Sequence, residues 1–329
     1  MKYSIVVCCY NGEKTIKACI ASLVTLDYDP PDYEIVFIND GAIDRTGLII
    51  QEEIGALDLV YPSMKYIETT NNGLSAARNY GINNSSGEII LFIDEDAVAS
   101  KSWLLECDKS LKRDGTPAIY FGPVEPFEDA NDFEEFIRAA HYTRYNRDGT
   151  VKPVMIGTNM GFHRDVFTEG SHFDATFTYR GDETALLILL NGNYESVYNE
   201  KMIVHHPYPK SVSIWLNERY HNGIVENKLR ALRSYNRSRS HRVGMIVALV
   251  LIVFHLYADW SLVKVVDSIL VIFTVTLIFS RKINILKYKF KSLEKIYSSK
   301  AWLFFPLSYV LKIIGHIYQL RGQIQASAR

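Results

Sequence analysis

With 329 residues, the chain is long enough for two domains and a sizeable hydrophobic core. Its formal charge of −1 points to no particular partner, and its four cysteines lack metal-ligand spacing and are expected to stay reduced. The near-zero charge hides an asymmetry. Residues 1–227 carry 34 acidic and 19 basic side chains, whereas residues 228–329 carry 3 acidic and 17 basic ones. The two parts are therefore expected to meet different surroundings.

Strand-like and helix-like segments alternate over the first hundred residues. Tyr3–Cys9 predicts a buried strand, and Asn11 is placed to cap a helix with Ile16, Ile20 and Leu23 on one side. Three further strands are predicted at Glu34–Ile38, Lys65–Glu68 and residues 89–93, with helices starting near Asp44 and at Leu74. This alternation predicts an α/β fold with a mostly parallel, doubly wound sheet.

Beyond Lys101 the pattern is less regular. Strands are predicted at Ala118–Phe121, Met155–Phe162 and Glu195–Tyr198, and helices at Asp132–Arg144 and Ala185–Leu190. Gly157 and Gly161 suggest close backbone approach within the second of these strands. Residues 211–242 are predicted to form amphipathic connecting helices.

The strand at residues 89–93 runs directly into three carboxylates, Asp94, Glu95 and Asp96. Ionised carboxylates cannot be buried without partners, so they are expected in a cleft at the carboxyl end of the strand. Their oxygens suit Mg²⁺ or Mn²⁺, which commonly accompanies phosphate. A solvated acidic turn is the alternative explanation.

Asp40 ends the second predicted strand, where an acid can accept hydrogen bonds from a ribose or a base. The chain has neither a Gly-x-Gly-x-x-Gly motif after the first strand nor a P-loop, so another element must hold the phosphates. A cation on Asp94 and Asp96 would do so. Together these acids point to a nucleotide-diphosphate ligand, although Asp40 alone could be a turn residue.

Long apolar runs occupy the basic part of the chain, at residues 243–258, 262–280 and 301–318. The first two are predicted to span a membrane as a hairpin, and the third either to span it or to lie in its interface. Basic residues flank the hairpin on both sides, whereas the connector around Trp260 has none. The positive-inside rule therefore places the N-terminal part in the cytoplasm, with the basic flanks near lipid headgroups and not bound to nucleic acid.

Six short motifs in this order resemble an inverting family-2 glycosyltransferase with the GT-A fold. They cover about residues 3–210 and are Ile5–Asn11, Ile38–Gly41, Gly73–Asn79, Leu91–Asp96, Gly157–Arg164 and Gly181–Leu186. The resemblance implies a GT-A catalytic domain at 1–210. The pattern of apolar and basic residues predicts connecting helices at 211–242 and a membrane domain at 243–329.

The resemblance also implies roles for individual residues. The donor nucleotide would be bound by Tyr10, Asn11, Asp40, Arg78 and Asp94. The divalent metal, Mn²⁺ or Mg²⁺, would be held by Asp96 with Asp94, and His205 or His206 could reach it, with His206 the predicted ligand.

Inversion requires one general base to take the acceptor proton. The family places it in a Gly-Glu-Asp-x-x-Leu motif, whereas this chain has Gly181-Asp182-Glu183-Thr184-Ala185-Leu186. Glu183 stands at the family's aspartate position, and Asp182 is the competing candidate. The Gln-x-x-Arg-Trp motif of processive synthases is absent from the corresponding region, 216–220, which favours transfer of a single sugar.

These observations predict a membrane-bound enzyme that moves one sugar from a UDP- or GDP-linked donor to an acceptor. A polyprenyl-linked glycan or a glycolipid fits a protein anchored beside a basic interface. Two alternatives belong to other classes: a non-catalytic, membrane-tethered nucleotide-binding module, and a nucleotidyltransferase that makes the sugar donor.

Overall fold

The computed structural model describes residues 2–56, 62–111, 115–138, 144–145, 151–167, 170–232, 314–315 and 317–326. The chain divides into two compact units. Unit 1 comprises residues 1–142, 153–233 and 309–329, and unit 2 comprises residues 143–152 and 234–308. Within unit 2 the described residues form a short antiparallel pair, β8 (Arg144–Tyr145) and β9 (Val151–Lys152).

Unit 1 is built on a seven-stranded sheet in the order β11-β6-β10-β4-β1-β2-β3. Its strands are β1 (Tyr3–Cys9), β2 (Tyr33–Asp40), β3 (Ser63–Thr69), β4 (Ile89–Asp94), β6 (Ala118–Phe121), β10 (Met160–His163) and β11 (Glu195–Tyr198). The first four are parallel to one another, and β10 runs antiparallel to β4 and β6. The predicted mostly parallel α/β sheet is confirmed.

Helices cover both faces of this sheet. α1 (Ile16–Val24), α2 (Thr46–Ala56) and α4 (Trp103–Ser110) pack on one face, and α3 (Leu74–Asn84) and α6 (Asp182–Leu190) pack on the other. Two further helices are α5 (Asp132–Ile137) and α7 (Val212–Leu232). Side chains of β1 alternate between two cores: Ile5 and Val7 pack with Ile16 and Leu23 of α1, whereas Val6 packs in the second core with α3 and α6. This period-2 alternation explains why β1 is apolar from Ile5 to Cys9, while the buried Ser4 donates to Glu34.

A second, three-stranded sheet has the order β5-β12-β7. It consists of β5 (Val98–Ala99), β7 (Val124–Glu125) and β12 (Val204–His205). β5 begins two residues after Asp96, and β12 pairs with it, His205 opposite Val98. This pairing brings the residue after β12, His206, to the acidic end of β4.

Several predicted boundaries were wrong. Asn11 does not cap α1, because the N-cap of α1 is Thr15. The Oδ1 atom of Asn11 instead accepts a hydrogen bond from the backbone N–H of Ile43 at 2.9 Å. α5 runs to Ile137, residues 139–143 lie outside the described residues, and Arg144, the predicted end of this helix, lies in β8. The strand predicted from Met155 begins at Met160, because residues 156–159 form a turn.

None of the helices among the described residues is both long and apolar enough to cross a membrane. The predicted spans at 243–258 and 262–280 lie outside the described residues, as do 301–313 of the third. The end of that third run is helical at residues 314–315 and 317–318, and this helix continues to residue 326. We call residues 317–326 the C-terminal helix; it belongs to unit 1.

Candidate active site

The candidate metal ligands meet at the end of β4. Asp94, Asp96 and His206 each offer one ligand atom, and these atoms lie within 4.8 Å of one another. His206 Nε2 is 3.2 Å from Asp96 Oδ1. Two carboxylates and an imidazole form a donor set that suits Mn²⁺, and the carboxylates also suit Mg²⁺, so the residues present fit the implied cation.

His205 points elsewhere, since its Nδ1 lies 3.0 Å from the carbonyl oxygen of Pro126. The sequence offered both neighbouring histidines, with His206 as the predicted ligand, and the pairing of β12 with β5 places His206 and not His205 beside the acids. Only the tertiary structure makes that pairing visible.

Ionisation within this cluster follows from burial and charge. Burial alone would lower the pKa of His206, but the hydrogen bond and charge of Asp96 outweigh it and raise the pKa to about 9. The same contact lowers the pKa of Asp96 against the opposing effect of burial. Burial and the charges of Asp94 and Asp96 raise the pKa of Glu95 to about 8. A cation binding here would displace the His206 proton, because only the neutral imidazole is a ligand.

Arg78 lies beneath the acidic cluster and connects it to α6. Its Nη2 is 3.4 Å from Asp94 Oδ1 and donates to the carbonyl oxygen of Gly157 at 3.1 Å. Its Nη1 is 2.5 Å from Asp182 Oδ2. Arg78 is 2% exposed and Asp182 is fully buried. Burial alone would lower the pKa of Arg78, but the negative charges of Asp182 and Asp94 outweigh burial and raise the pKa of Arg78.

A turn at residues 156–159 supports this network. A Cβ on Gly157 would come within 2.8 Å of the Arg78 guanidinium, so a side chain here would push the guanidinium from its place, in line with the close approach that the sequence indicated. The Asp94 N–H donates to the Thr158 hydroxyl at 3.3 Å, and the buried Asn159 donates to the carbonyls of Pro123 and Met202. Thr158 and Asn159 lie in the Gly157–Arg164 motif but had no predicted role of their own, although a Gly-Thr-Asn run before a short strand is a turn signal.

The two candidate bases stand in the first turn of α6 and differ in environment. Gly181 precedes them with φ +84°, a conformation that favours glycine, and a Cβ there would collide with Val225 of α7. Asp182 is fully buried in its ion pair, whereas Glu183 is only partly buried. Burial and the charge of Asp182 raise the pKa of Glu183 to about 7. A carboxyl with that pKa is suited to general base chemistry near neutral pH.

The predicted nucleotide-binding residues lie at the ends of β1 and β2. Tyr10 follows β1 and is 45% exposed, so its ring is free to stack. Asn11 adopts a left-handed backbone conformation with φ 56°. Its side chain accepts a hydrogen bond from Ile43 N–H and so connects the loop after β1 to the loop after β2. Asp40 is 5% exposed and accepts from the backbone N–H groups of Asn72 and Gly73 at 2.9 and 2.8 Å. Asp40 therefore also positions the start of α3, which carries Arg78.

Three features together define a GT-A-type fold. They are the strand order of the sheet, the acidic cluster at the end of its central strand, and a carboxylate-bearing helix connected to that cluster through Arg78. A family model, Glycosyl transferase family 2, matches residues 4–170, about half of the chain. The chain therefore belongs to glycosyl transferase family 2 and is a glycosyltransferase by family.

Individual proteins extend this comparison. Glycosyltransferase GlyA of Streptococcus pneumoniae is 41% identical over 95 residues, which cover 29% of this chain and 13% of GlyA. The poly(ribitol-phosphate) beta-N-acetylglucosaminyltransferase TarS of Staphylococcus aureus is 32% identical over 104 residues, 32% of this chain and 18% of TarS. The chain thus matches less than a fifth of the length of either relative.

Solved structures show the same fold. TarS 1–349 in complex with UDP-GlcNAc aligns with a TM-score of 0.50 and 13% identity, covering 100% of this chain and 92% of that one. The mannosyltransferase PcManGT of Pyrobaculum calidifontis, in complex with GDP-Man and Mn²⁺, aligns with a TM-score of 0.59 and 13% identity, covering 91% and 88%.

Proposed function

We propose that this chain is a membrane-attached, metal-dependent inverting glycosyltransferase that transfers one sugar from a UDP- or GDP-linked donor. One observation carries the proposal. A fitting set of metal ligands, Asp94, Asp96 and His206, is joined by the buried Arg78 to a helix that begins with two carboxylates. Donor and acceptor chemistry would thus share one connected site.

The donor would occupy the ends of β1, β2 and β4. Tyr10 would stack on the base, Asn11 and Asp40 would lie beside the nucleoside, and Asp94 would lie beside the ribose. Asp94, Asp96 and His206 would hold a divalent cation, which neutralises the charge of the leaving diphosphate when bound. The ligands of TarS and PcManGT support a nucleotide-sugar donor, and the Mn²⁺ of PcManGT supports a cation.

Glu183 is the proposed base. Its carboxylate would take the proton of an acceptor hydroxyl while that oxygen forms a bond to the anomeric carbon of the donor sugar. The bond from that carbon to the diphosphate breaks on the opposite face, and the nucleotide diphosphate leaves. Asp182 is the weaker candidate because its carboxylate is fully buried and already paired with Arg78.

The acceptor is proposed to be lipid-linked, a polyprenyl-linked glycan or a glycolipid. Support comes from the apolar runs at 243–258 and 262–280 and from the basic segments on either side of them. Two such spans would anchor the catalytic unit on the cytoplasmic face, beside anionic headgroups and close to a lipid-borne hydroxyl.

The test uses the full-length protein in detergent. A panel of UDP- and GDP-sugars with Mn²⁺ is screened by thermal shift, and the stabilising donor is then offered to lipid-phase and soluble acceptors. We expect one donor class to raise the Tm and its sugar to appear on the lipid-phase acceptor. Binding without transfer to any acceptor would favour a non-catalytic module, and labelling of soluble acceptors alone would contradict the lipid-linked acceptor.

A further inference from the structure

The C-terminal helix packs against α7, and the two helices touch through glycines. A Cβ on Gly223 of α7 would collide with the carbonyl oxygen of Gln319, and a Cβ on Gly322 would collide with that of Tyr220. At Gly315 an added Cβ would come within 2.6 Å of the Trp215 ring. Glycine in a helix interior costs about 0.5–1 kcal/mol relative to alanine, so its use at these contacts reflects close packing.

Hydrogen bonds connect the same two helices. Arg219 Nη2 donates to Gln319 Oε1 at 2.6 Å, and Asn227 Nδ2 donates to the carbonyl oxygen of Gln323 at 2.8 Å. Tyr220 also donates to Gln325. Trp215 lies against Gly315, Arg219 against Gln319 and Asn227 against Gln323, so the two helices run in the same direction and their contact extends from Trp215 to Asn227.

α7 is anchored in the catalytic unit and cannot lie in hydrocarbon. Its Leu229 packs with Phe177 and Ala185, and Asn222 accepts from Arg180, next to the candidate bases. The helix also carries Glu218, Arg219, Glu226 and Lys228, which are costly at bilayer depth. Leu232 and Gly315 both belong to this unit, which the chain leaves and re-enters between them. These two residues therefore lie on the same side of any membrane.

We infer that the chain crosses the membrane an even number of times between residues 232 and 315 and returns its C-terminal helix to the cytoplasmic catalytic unit. This inference rests on the proposed membrane attachment. Three crossings would place the C-terminal helix opposite α7, where these contacts could not form.

The distribution of basic residues independently supports an even number of crossings. Residues 313–329 contain Arg321 and Arg329 and no acidic side chain, and the segment between the second and third runs contains seven basic residues and one acid. The positive-inside rule places both on the cytoplasmic side, which even-numbered crossing allows and a third crossing forbids.

Cysteine labelling tests the topology in the full-length protein. The native Cys8, Cys9, Cys19 and Cys107 are buried, so their background reaction is expected to be low. Three variants, each with one added cysteine, are compared in spheroplasts: Ser261→Cys in the connector, Ile324→Cys on the C-terminal helix, where the native side chain is 71% exposed, and Glu52→Cys on α2 as the catalytic-unit control. A membrane-impermeant maleimide is applied before and after permeabilisation.

Ser261→Cys is expected to react in intact spheroplasts, and Ile324→Cys and Glu52→Cys only after permeabilisation. Labelling of both Ser261→Cys and Ile324→Cys in intact spheroplasts, with Glu52→Cys protected, would overturn the inference and leave the membrane attachment standing. Protection of all three until permeabilisation would instead remove the membrane hairpin and the inference with it. Arg321→Cys, one helical turn from Ile324, replaces Ile324→Cys if that variant fails to fold.

Discussion

Arg78 and Asp182 form a buried ion pair, with 2.5 Å between Nη1 and Oδ2, at the junction of the candidate metal site and the candidate base. The same guanidinium reaches Asp94 on its other side. The buried Arg78 guanidinium therefore lies between Asp94, which is proposed to bind the donor, and Asp182, which is adjacent to the proposed base. Displacement of Arg78 would disturb both halves of the site.

Breaking this pair should destabilise the catalytic unit. Removing one partner of a buried ion pair typically costs about 3–5 kcal/mol, because the remaining charge has no compensation. We expect Arg78→Met and Asp182→Asn each to lower the Tm strongly, and the Arg78→Met/Asp182→Leu double variant to recover part of the loss without recovering transfer. Arg138→Met is the control: the Arg138 side chain is 25% exposed and pairs with the partly exposed Glu125 and Glu135, so this substitution should cost less than Arg78→Met. Equal effects at the two arginines would contradict the role of burial.

Glu183→Gln should separate chemistry from binding. Loss of a general base lowers the rate by about 10²–10⁴-fold, whereas donor binding does not depend on that proton transfer. Transfer should fall by that factor while donor and Mn²⁺ still raise the Tm, and Glu52→Gln on the surface of α2 should behave as wild type. Near-normal turnover in both Glu183→Gln and Asp182→Asn would exclude both candidate bases.

The pH profile should report the ionisation of Glu183. Burial and the neighbouring Asp182 raise its pKa to about 7, and a base acts only when deprotonated. kcat/KM for the acceptor should therefore fall about tenfold per pH unit below pH 7 and level off above it. An unperturbed glutamate, with a pKa of about 4.3, would give a flat profile between pH 6 and 8. The residual activity of Glu183→Gln should lose this dependence, measured at saturating donor and metal.

The two adjacent histidines provide a matched pair for the metal site. His206 Nε2 lies beside Asp96, whereas His205 is directed at Pro126. We expect His206→Ala to weaken Mn²⁺ binding by at least about tenfold. Loss of a residue that only supports a metal ligand already weakens binding by about 10–100-fold, and loss of a ligand should cost no less. His205→Ala should bind Mn²⁺ nearly as wild type. Calorimetric titration of both variants checks the difference, and equal affinities would remove His206 from the ligand set.

Two helical glycines test the packing of the C-terminal helix. A Cβ on Gly223 would meet the backbone of Gln319, whereas a Cβ on Gly55 in α2 has nothing within 4 Å. Gly223→Ala should destabilise by about 1–3 kcal/mol through overpacking. Gly55→Ala should stabilise by about 0.4–1 kcal/mol. Thermal unfolding and protease cleavage near residue 320 report the two effects. Shifts of the same sign would show that Gly223 is not a contact residue.

Much of the fold was predictable because the central strands are apolar on both faces. β6 and β11 were predicted at their observed boundaries, and β1 and the buried face of α1 were also correct. The errors at Asn11 and at the start of β10 have identifiable causes. Asn11 accepts a hydrogen bond from Ile43, 32 residues further along the chain, and a turn at residues 156–159 delays the start of β10.

The sequence by itself determined that acids would collect at the carboxyl ends of parallel strands, since the strand pattern and the positions of Asp40, Asp94 and Asp96 are local properties. Only the tertiary structure decided which histidine reaches the metal site, that Arg78 connects Asp94 to Asp182, and that the C-terminal helix returns to α7. The pairs Arg78–Asp182, Asp96–His206 and Arg219–Gln319 join residues about 100 to 110 positions apart. They depend on strand register and helix packing, which no local pattern of residues encodes.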